Sequence, residues 1–343
     1  MKYSVLILGL GRIASQLEKD PLRYHPCTHA GVVLNSPLSK FFKVTGIYDE
    51  NPQKIEEFLN DWNFKKYLPT TDLKTIQKQK FDLCIIASSS VSHFKNAQFA
   101  LSIGIKYILI EKPICTTLQD FQKLKKISIE KKAKIWVNHE RRYHPLYNFV
   151  RNELNSGNWG KLKTIRAGVL TSGLSPGIAY KDIGGGPLLH DGTHAIDFLD
   201  FLIPYLPKVH FSKFFIPKTQ QVESRALCLL EYRNDVFAFL EAGGEREYFQ
   251  FEVDIQTTTN RIILNNDGHL LYQRTESDLY KGFKSLKQIE LPTFQNFNPW
   301  LYLYKEIISH LSGTGSTILG DLSANERILL TIQKINKFNK DFL

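Results

Sequence analysis

Residues 7–15 read ILGLGRIAS, and this stretch decides the fold. The apolar run that leads into it, Ser4 to Leu10, is far shorter than the roughly 20 residues of a membrane span and carries no small-residue cleavage site. It is predicted to be a buried strand. Gly9, Gly11 and Ala14 then form a GxGxxA spacing where that strand passes into a predicted helix over 12–19. In a dinucleotide site the first glycine permits a tight turn, and the second lets the backbone approach a pyrophosphate. The small third residue lets helix and strand pack closely. Gly9, Gly11, Arg12 and Ile13 are the expected cofactor contacts. An ordinary tight turn and the glycine loop of methyltransferases share the spacing.

Outward from this turn, short apolar runs alternate with helical stretches. Strands are predicted at 4–10, 42–49, 82–88, 107–112 and 133–138, with helices at 12–19, 52–60, 72–79, 92–103 and 117–132. Strands apolar on both faces belong to a parallel sheet covered by helices on both sides. Asp49 ends the second strand, where an acid accepts hydrogen bonds from the ribose hydroxyls and repels a 2′-phosphate, so NAD is expected over NADP. It stands 38 residues past Gly11, well beyond the usual spacing of about 20. Residues 20–41 therefore read as an insertion between the first helix and the second strand.

Beyond about residue 150 the texture changes to longer alternating stretches, such as KTIRAGVL (163–170) and FEVDIQTTTNRIILNND (251–267), followed by helical sequence at the end. The expected architecture is an α/β Rossmann domain over 1–138, a doubly wound parallel sheet. An α+β domain follows over 139–343, with a large, mainly antiparallel sheet and C-terminal helices. The chain has 343 residues, 43% of them hydrophobic, enough to bury two cores. Lys and Arg (44) exceed Asp and Glu (34), but the excess lies in dispersed pieces such as KKISIEKKAK (125–134) that suit solvated helix faces, so neither a nucleic-acid nor a membrane partner is expected. Cys27, Cys84, Cys115 and Cys228 show no CxxC pairing, which fits a reducing cytoplasm and neither a disulfide framework nor a zinc ribbon.

The densest group of titratable residues is GGGPLLHDGTHAID, 184–197. If 188–200 is helical, His190, His194 and Asp197 share one face at i, i+4 and i+7. Three readings compete: a general base of near-neutral pKa for proton transfer, a His-x3-His zinc pair lacking its third ligand, or a capping Asp191 with histidines at a domain interface.

A Glu-Lys-Pro triplet, Glu111 to Pro113, ends the strand YILI (107–110). Together with the glycine turn, the SSSVSH loop (88–93), NHERRYHP (138–145) and GTHAID (192–197), it resembles the Gfo/Idh/MocA oxidoreductases, in order along the whole chain. The resemblance implies hydride transfer between NAD(H) and a secondary alcohol or ketone of a sugar, sugar nucleotide or cyclitol. It also implies a homo-oligomer, dimer or tetramer. Glu111 and Lys112 would lie at the cofactor, with Lys112 between nicotinamide and substrate and a cis bond before Pro113. Ser88, Ser89 and His93 would line the pyrophosphate and ribose, Arg141 would bind an anionic substrate group, and Arg142 would serve a domain interface. His194 would be the catalytic base, and no metal centre is expected. The family pattern Asp-x-Gly-x-His, aligned on Gly192 and His194, places His190 where the aspartate belongs. His190 is thus a catalytic or relay partner and Asp191 a substrate contact, although Asp191 sits about 100° round a continuous helix from His190. That departure keeps open a non-catalytic NAD-binding regulator or scaffold of the same fold.

Overall fold

The structure is a computed structural model and describes residues 2–64, 69–171, 185–294 and 297–341. Contacts divide the chain into two compact units, Met1–His144 with Asn296–Asn325 and Pro145–Gln295 with Glu326–Leu343.

The first unit holds five parallel strands, β1 (Tyr3–Leu8), β2 (Phe42–Tyr48), β3 (Leu83–Ile86), β4 (Tyr107–Ile110) and β5 (Lys134–Val137), in the order β2-β1-β3-β4-β5. Four fall within the predicted stretches, and β1 starts one residue before its own. Gly46 of β2 makes an isolated parallel bridge to Thr70, where the usual dinucleotide order carries another strand. The helices α2 (Pro52–Asp61), α3 (Leu73–Ile76), α4 (His93–Ser102) and α5 (Leu118–Glu130) also lie where the periodicity places them. Asn51, Asp72 and Thr117 cap α2, α3 and α5 through their side chains.

The segment after the glycine turn differs from its prediction. No α-helix covers 12–19: residues 12–15 form a turn with i→i−5 bonds (Gln16 N to Gly11 O, 3.5 Å; Leu17 N to Arg12 O, 3.0 Å), and Gln16–Lys19 is one 3-10 turn. The regular helix is α1 (His29–Asn35), inside the stretch read as an insertion. His29 N bonds Ile13 O (3.3 Å) and Ala30 N bonds Ala14 O (2.8 Å), so residues 15–28 leave and return at one place. The excursion is this closed loop, and α1 takes over on its far side.

A helix near the C-terminus, α9 (Pro299–Leu311), belongs to this first unit. Its Trp300, Leu303, Tyr304 and Ile307 join the core formed by Val32 and Val33 of α1 and Phe42, Val44 and Ile47 of β2. Periodicity makes it a helix but cannot say which core its apolar face joins, and the sequence boundary at 138 gave it to the other domain.

The second unit is built on eight strands: β6 (Leu162–Leu170), β7 (Lys208–Phe215), β8 (Arg225–Tyr232), β9 (Val236–Gly243), β10 (Gln250–Thr257), β11 (Asn260–Asn265), β12 (Gly268–Glu276) and β13 (Lys284–Ile289). Their order is β13-β12-β11-β10-β6-β9-β8-β7, antiparallel throughout except for the pair β6 and β9. Buried and partly exposed residues alternate strictly along β8 and β11, as a sheet with one covered face requires. The helices are α6 (Pro145–Ser156), α7 (Gly186–His190), α8 (Gly192–Leu202) and most of α10 (Leu322–Asp341). On the covered face α8 packs on β6 and β9. Every residue of α8 is buried except His194. Arg327 of α10 grips Asp200 of α8 with two bonds, 2.6 and 3.0 Å.

Candidate active site

At the carboxyl edge of the parallel sheet, the ends of β1, β2 and β3 surround a cavity of about 400 Å³, the size of a small-molecule pocket. Gly9, with φ +89°, makes the turn out of β1, and a side chain there would run into the Ser88 backbone. At Gly11 an added Cβ would meet only Lys54 Nζ, at 3.9 Å, so the backbone there is open to a ligand. Arg12, Ile13, Asp49, Ser88 and Ser89 line the same cavity, as do Lys54, Ser92 and Asn96, which the sequence did not single out. The Asp49 carboxylate is held on both oxygens, Oδ2 by Leu10 N and Oδ1 by Asn51 N, each 2.9 Å. Lys54 Nζ lies 3.8 Å from Asp49, reached from the first turn of α2. Open backbone at the second glycine, hydroxyls at the end of β3 and an acid at the end of β2 fit the diphosphate and ribose of a dinucleotide.

His93 and Glu111 do not line this cavity. His93 is buried at the start of α4, its Nδ1 2.7 Å from Pro113 O and its Nε2 3.1 Å from Ser88 O. It ties the Ser88 loop to the Glu-Lys-Pro turn, and burial holds its pKa below the ordinary value. A neutral ring donates to one of these carbonyls. Ser88 Oγ in turn accepts from Asn96 (2.9 Å).

Glu111 follows β4 and is buried among partners. His29 Nε2 lies at 2.9 Å, Asn138 Nδ2 at 2.5 Å, and its own Oε2 accepts the Lys112 amide at 3.3 Å. On the other side of the His29 ring, Nδ1 is 2.7 Å from the Tyr304 hydroxyl. Burial alone would raise the Glu111 pKa, but His29, Asn138 and the Lys112 charge outweigh it and hold the carboxyl below its ordinary range. The carboxylate so fixed anchors the turn that presents Lys112, a half-buried side chain on a backbone with a cis bond to Pro113. His29 and Tyr304 come from α1 and α9, far away in sequence, and no local signal marks them.

Arg141 and Arg142 divide as adjacent arginines must. Arg141 Nη1 pairs with Glu140 (2.7 Å), while Arg142 is buried beside Gly320 in the same unit.

In the second unit the histidine segment is not one helix. Gly184 lies outside the described residues. Gly185 and Gly186 both take φ +81°, and a side chain on Gly186 would strike the carboxylate of Glu223. Glu223 is buried, accepts Leu188 N at 2.8 Å in the first turn of α7, and is pushed to a raised pKa by that burial. Gly186 thus makes room for a buried acid, and Gly185 for the side chain of Leu189. The helix then breaks: α7 ends at His190, and Asp191 precedes Gly192 as the N-cap position of α8. Asp191 makes no cap bond, and its carboxylate accepts from Thr171 Oγ1 at 3.1 Å. Gly192 fits closely between Ala242 and Leu188. His190, Asp191 and His194 are the partly exposed residues here, whereas Asp197 is buried. Asp197 is therefore withdrawn from the stripe expected of a continuous helix, and 190, 191 and 194 are the accessible titratable residues.

Two family models match this chain in succession. Residues 3–139 match the oxidoreductase family with the NAD-binding Rossmann fold, and residues 147–263 match the Gfo/Idh/MocA C-terminal domain. The chain belongs to the Gfo/Idh/MocA family. An uncharacterized oxidoreductase of Synechocystis sp. is 24% identical over 206 residues, 58% of this chain and 51% of the relative. The chain spans about half or less of the length of the curated relatives it matches. Among solved structures, the WlbA dehydrogenase of Bordetella pertussis, in complex with NADH and UDP-GlcNAcA, aligns with TM-score 0.77 at 16% identity over 100% of this chain and 98% of that one. A super-repressor mutant of Gal80p from Saccharomyces cerevisiae aligns with TM-score 0.79 at 16% identity, covering 100% and 97%. At these identities the likeness shows the fold: this Gfo/Idh/MocA chain holds a parallel Rossmann sheet and a second, mostly antiparallel sheet.

Proposed function

We propose that this Gfo/Idh/MocA protein is a cytoplasmic NAD-dependent dehydrogenase. It interconverts a secondary alcohol and a ketone on a sugar, sugar nucleotide or cyclitol, and works as a homo-oligomer of two or four copies. The observation that carries this reading is the shared sheet edge: the glycine turn, Asp49 and the Ser88 loop border one cavity, and the next strand over ends in Lys112. When bound, the nicotinamide supplies the hydride acceptor or donor. Lys112 places an ammonium at the reacting oxygen, where it stabilises developing alkoxide. His194, the one accessible residue of an otherwise buried helix, exchanges the hydroxyl proton. Asp191 stands where α7 passes into α8, its carboxylate accepting from Thr171 Oγ1 at 3.1 Å. It takes the orienting part of the family aspartate, and His190 binds substrate beside it. Arg141 receives an anionic substrate group. The Lys112→Met variant is expected to lose turnover by orders of magnitude while NAD binding, followed by fluorescence quenching, persists. Near-normal turnover would remove Lys112 from the mechanism.

A second reading, a non-catalytic NAD-binding regulator, is favoured by the histidine at 190 and by the likeness to Gal80p. Following NADH absorbance across a panel of alcohols and nucleotide sugars separates the two. Turnover supports the dehydrogenase, and tight NAD binding with none throughout supports the regulator.

A further inference from the structure

The closed loop 15–28 brings together three donors that sequence spacing keeps apart: Glu18, His25 and Cys27. Their ligand atoms all lie within 4.8 Å of one another. His25 Nδ1 is 3.2 Å from Glu18 Oε1 and 3.9 Å from Cys27 Sγ. Ordinary zinc bond lengths and a tetrahedral angle put a nitrogen about 3.4 Å from a carboxylate oxygen and about 3.5 Å from a sulfur. These two separations are therefore within about half an ångström of those around a shared ion.

The carboxylate is prepared for one-oxygen ligation. Glu18 Oε2 is occupied by Cys27 N (3.0 Å) and Thr28 Oγ1 (2.7 Å), which leaves Oε1 toward His25. Gly31 has no side chain at the place the carboxylate fills. Such outer contacts orient a ligand before the metal arrives. The backbone bonds at 13 and 14 hold the loop ends, so the three donors do not depend on the ion to find one another. His25 is partly open to solvent, with 39% of its side chain exposed, and this provides an entry path and room for a water as fourth ligand.

We propose that Glu18, His25 and Cys27 bind one divalent ion of the zinc type. A thiolate and an imidazole with a single carboxylate select zinc or cobalt over magnesium or calcium, which take oxygen donors. On binding, Cys27 gives its thiol proton to solvent and Sγ exchanges its contact with Leu17 O (3.3 Å) for the metal. The ion pins a loop that departs from the glycine turn, and takes no part in hydride transfer.

The test is titration of the reduced, metal-free full chain with zinc chloride by calorimetry, and with cobalt chloride by absorption. The expected result is one zinc per chain and a thiolate-to-cobalt charge-transfer band, both lost in Cys27→Ser and in His25→Ala. His25 is exposed enough that its variant decides the matter even if Cys27→Ser fails to fold. No binding at micromolar metal, or binding that survives either substitution, overturns the proposal. Both readouts are independent of dehydrogenase activity.

Discussion

Replacing His29 with alanine leaves Glu111 buried with its principal partner gone, and removing one member of a buried pair costs about 3–5 kcal/mol. The His29→Ala variant is expected to melt well below the parent. A smaller loss is expected for His29→Gln, which keeps a donor. The carboxyl is depressed in the fold, so its stabilising contribution is complete above the ordinary carboxylate value of 4.5 and fades as pH falls through the lower folded value. Thermal melts of the parent between pH 6 and pH 3 should therefore steepen in a way the Glu111→Gln variant does not share. A flat profile in the parent would contradict the depressed pKa. Cofactor choice also belongs to single residues. Asp49 disfavours a 2′-phosphate, whereas the Lys54 ammonium 3.8 Å away would welcome one. Asp49→Ser, with Lys54 retained, is expected to move the NAD to NADP preference toward NADP by at least about tenfold, as a single removed like charge can. Titration of both nucleotides measures it, and unchanged preference would dismiss Asp49 as the determinant. The Asp49 position was legible in sequence because strand-end acids have a fixed job. Lys54 was not, because one lysine on a helix is usually solvated.

At the scale of elements, the start of α7 rests on Gly186 and Glu223. Alanine at 186 must hold φ +81° and displace a buried carboxylate, for at least about 2 kcal/mol. Gly186→Ala is expected to lower the melting temperature by several degrees. The pKa of Glu223 is raised, so the fold holds that proton more tightly than the unfolded chain does. The associated stability is present below the ordinary value of 4.5 and is lost as pH rises through the raised folded value. Glu223→Gln keeps an acceptor for Leu188 N without the buried charge, so at pH 8 it is expected to be no less stable than the parent. Differential scanning calorimetry compares the two, and a large loss would mean the charge itself is required. Strands such as β3 and β4 were readable because burial on both faces makes them wholly apolar. Strand β13 carries no such mark, being exposed along its whole length. The helix predicted at 12–19 failed because apolar spacing does not report that the chain departs into a loop and resumes its helix at His29.

Across the whole chain, the second sheet keeps one face covered by α8 and leaves the other open. That open face holds Phe211 and Phe239, each nearly half exposed, along a groove of about 550 Å³ that Leu227 and Leu229 also line. Under the proposed homo-oligomer, this patch is the expected association surface. Phe239→Glu is expected to convert the proposed oligomer to monomer in light scattering, and an unchanged mass would place the interface elsewhere. The described helices include none long and apolar enough to cross a membrane. Sequence alone determined the two-domain class, the five parallel strands and the glycine turn, because period, burial pattern and strand-end chemistry are local properties of the chain. Tertiary structure alone decided that His29 and Tyr304 hold Glu111 and that Glu223 takes up the space beside Gly186. Each of these is a meeting of residues from separate elements, and the energy that selects it is the cost of burying a charge or a polar group without a partner, which no linear pattern records.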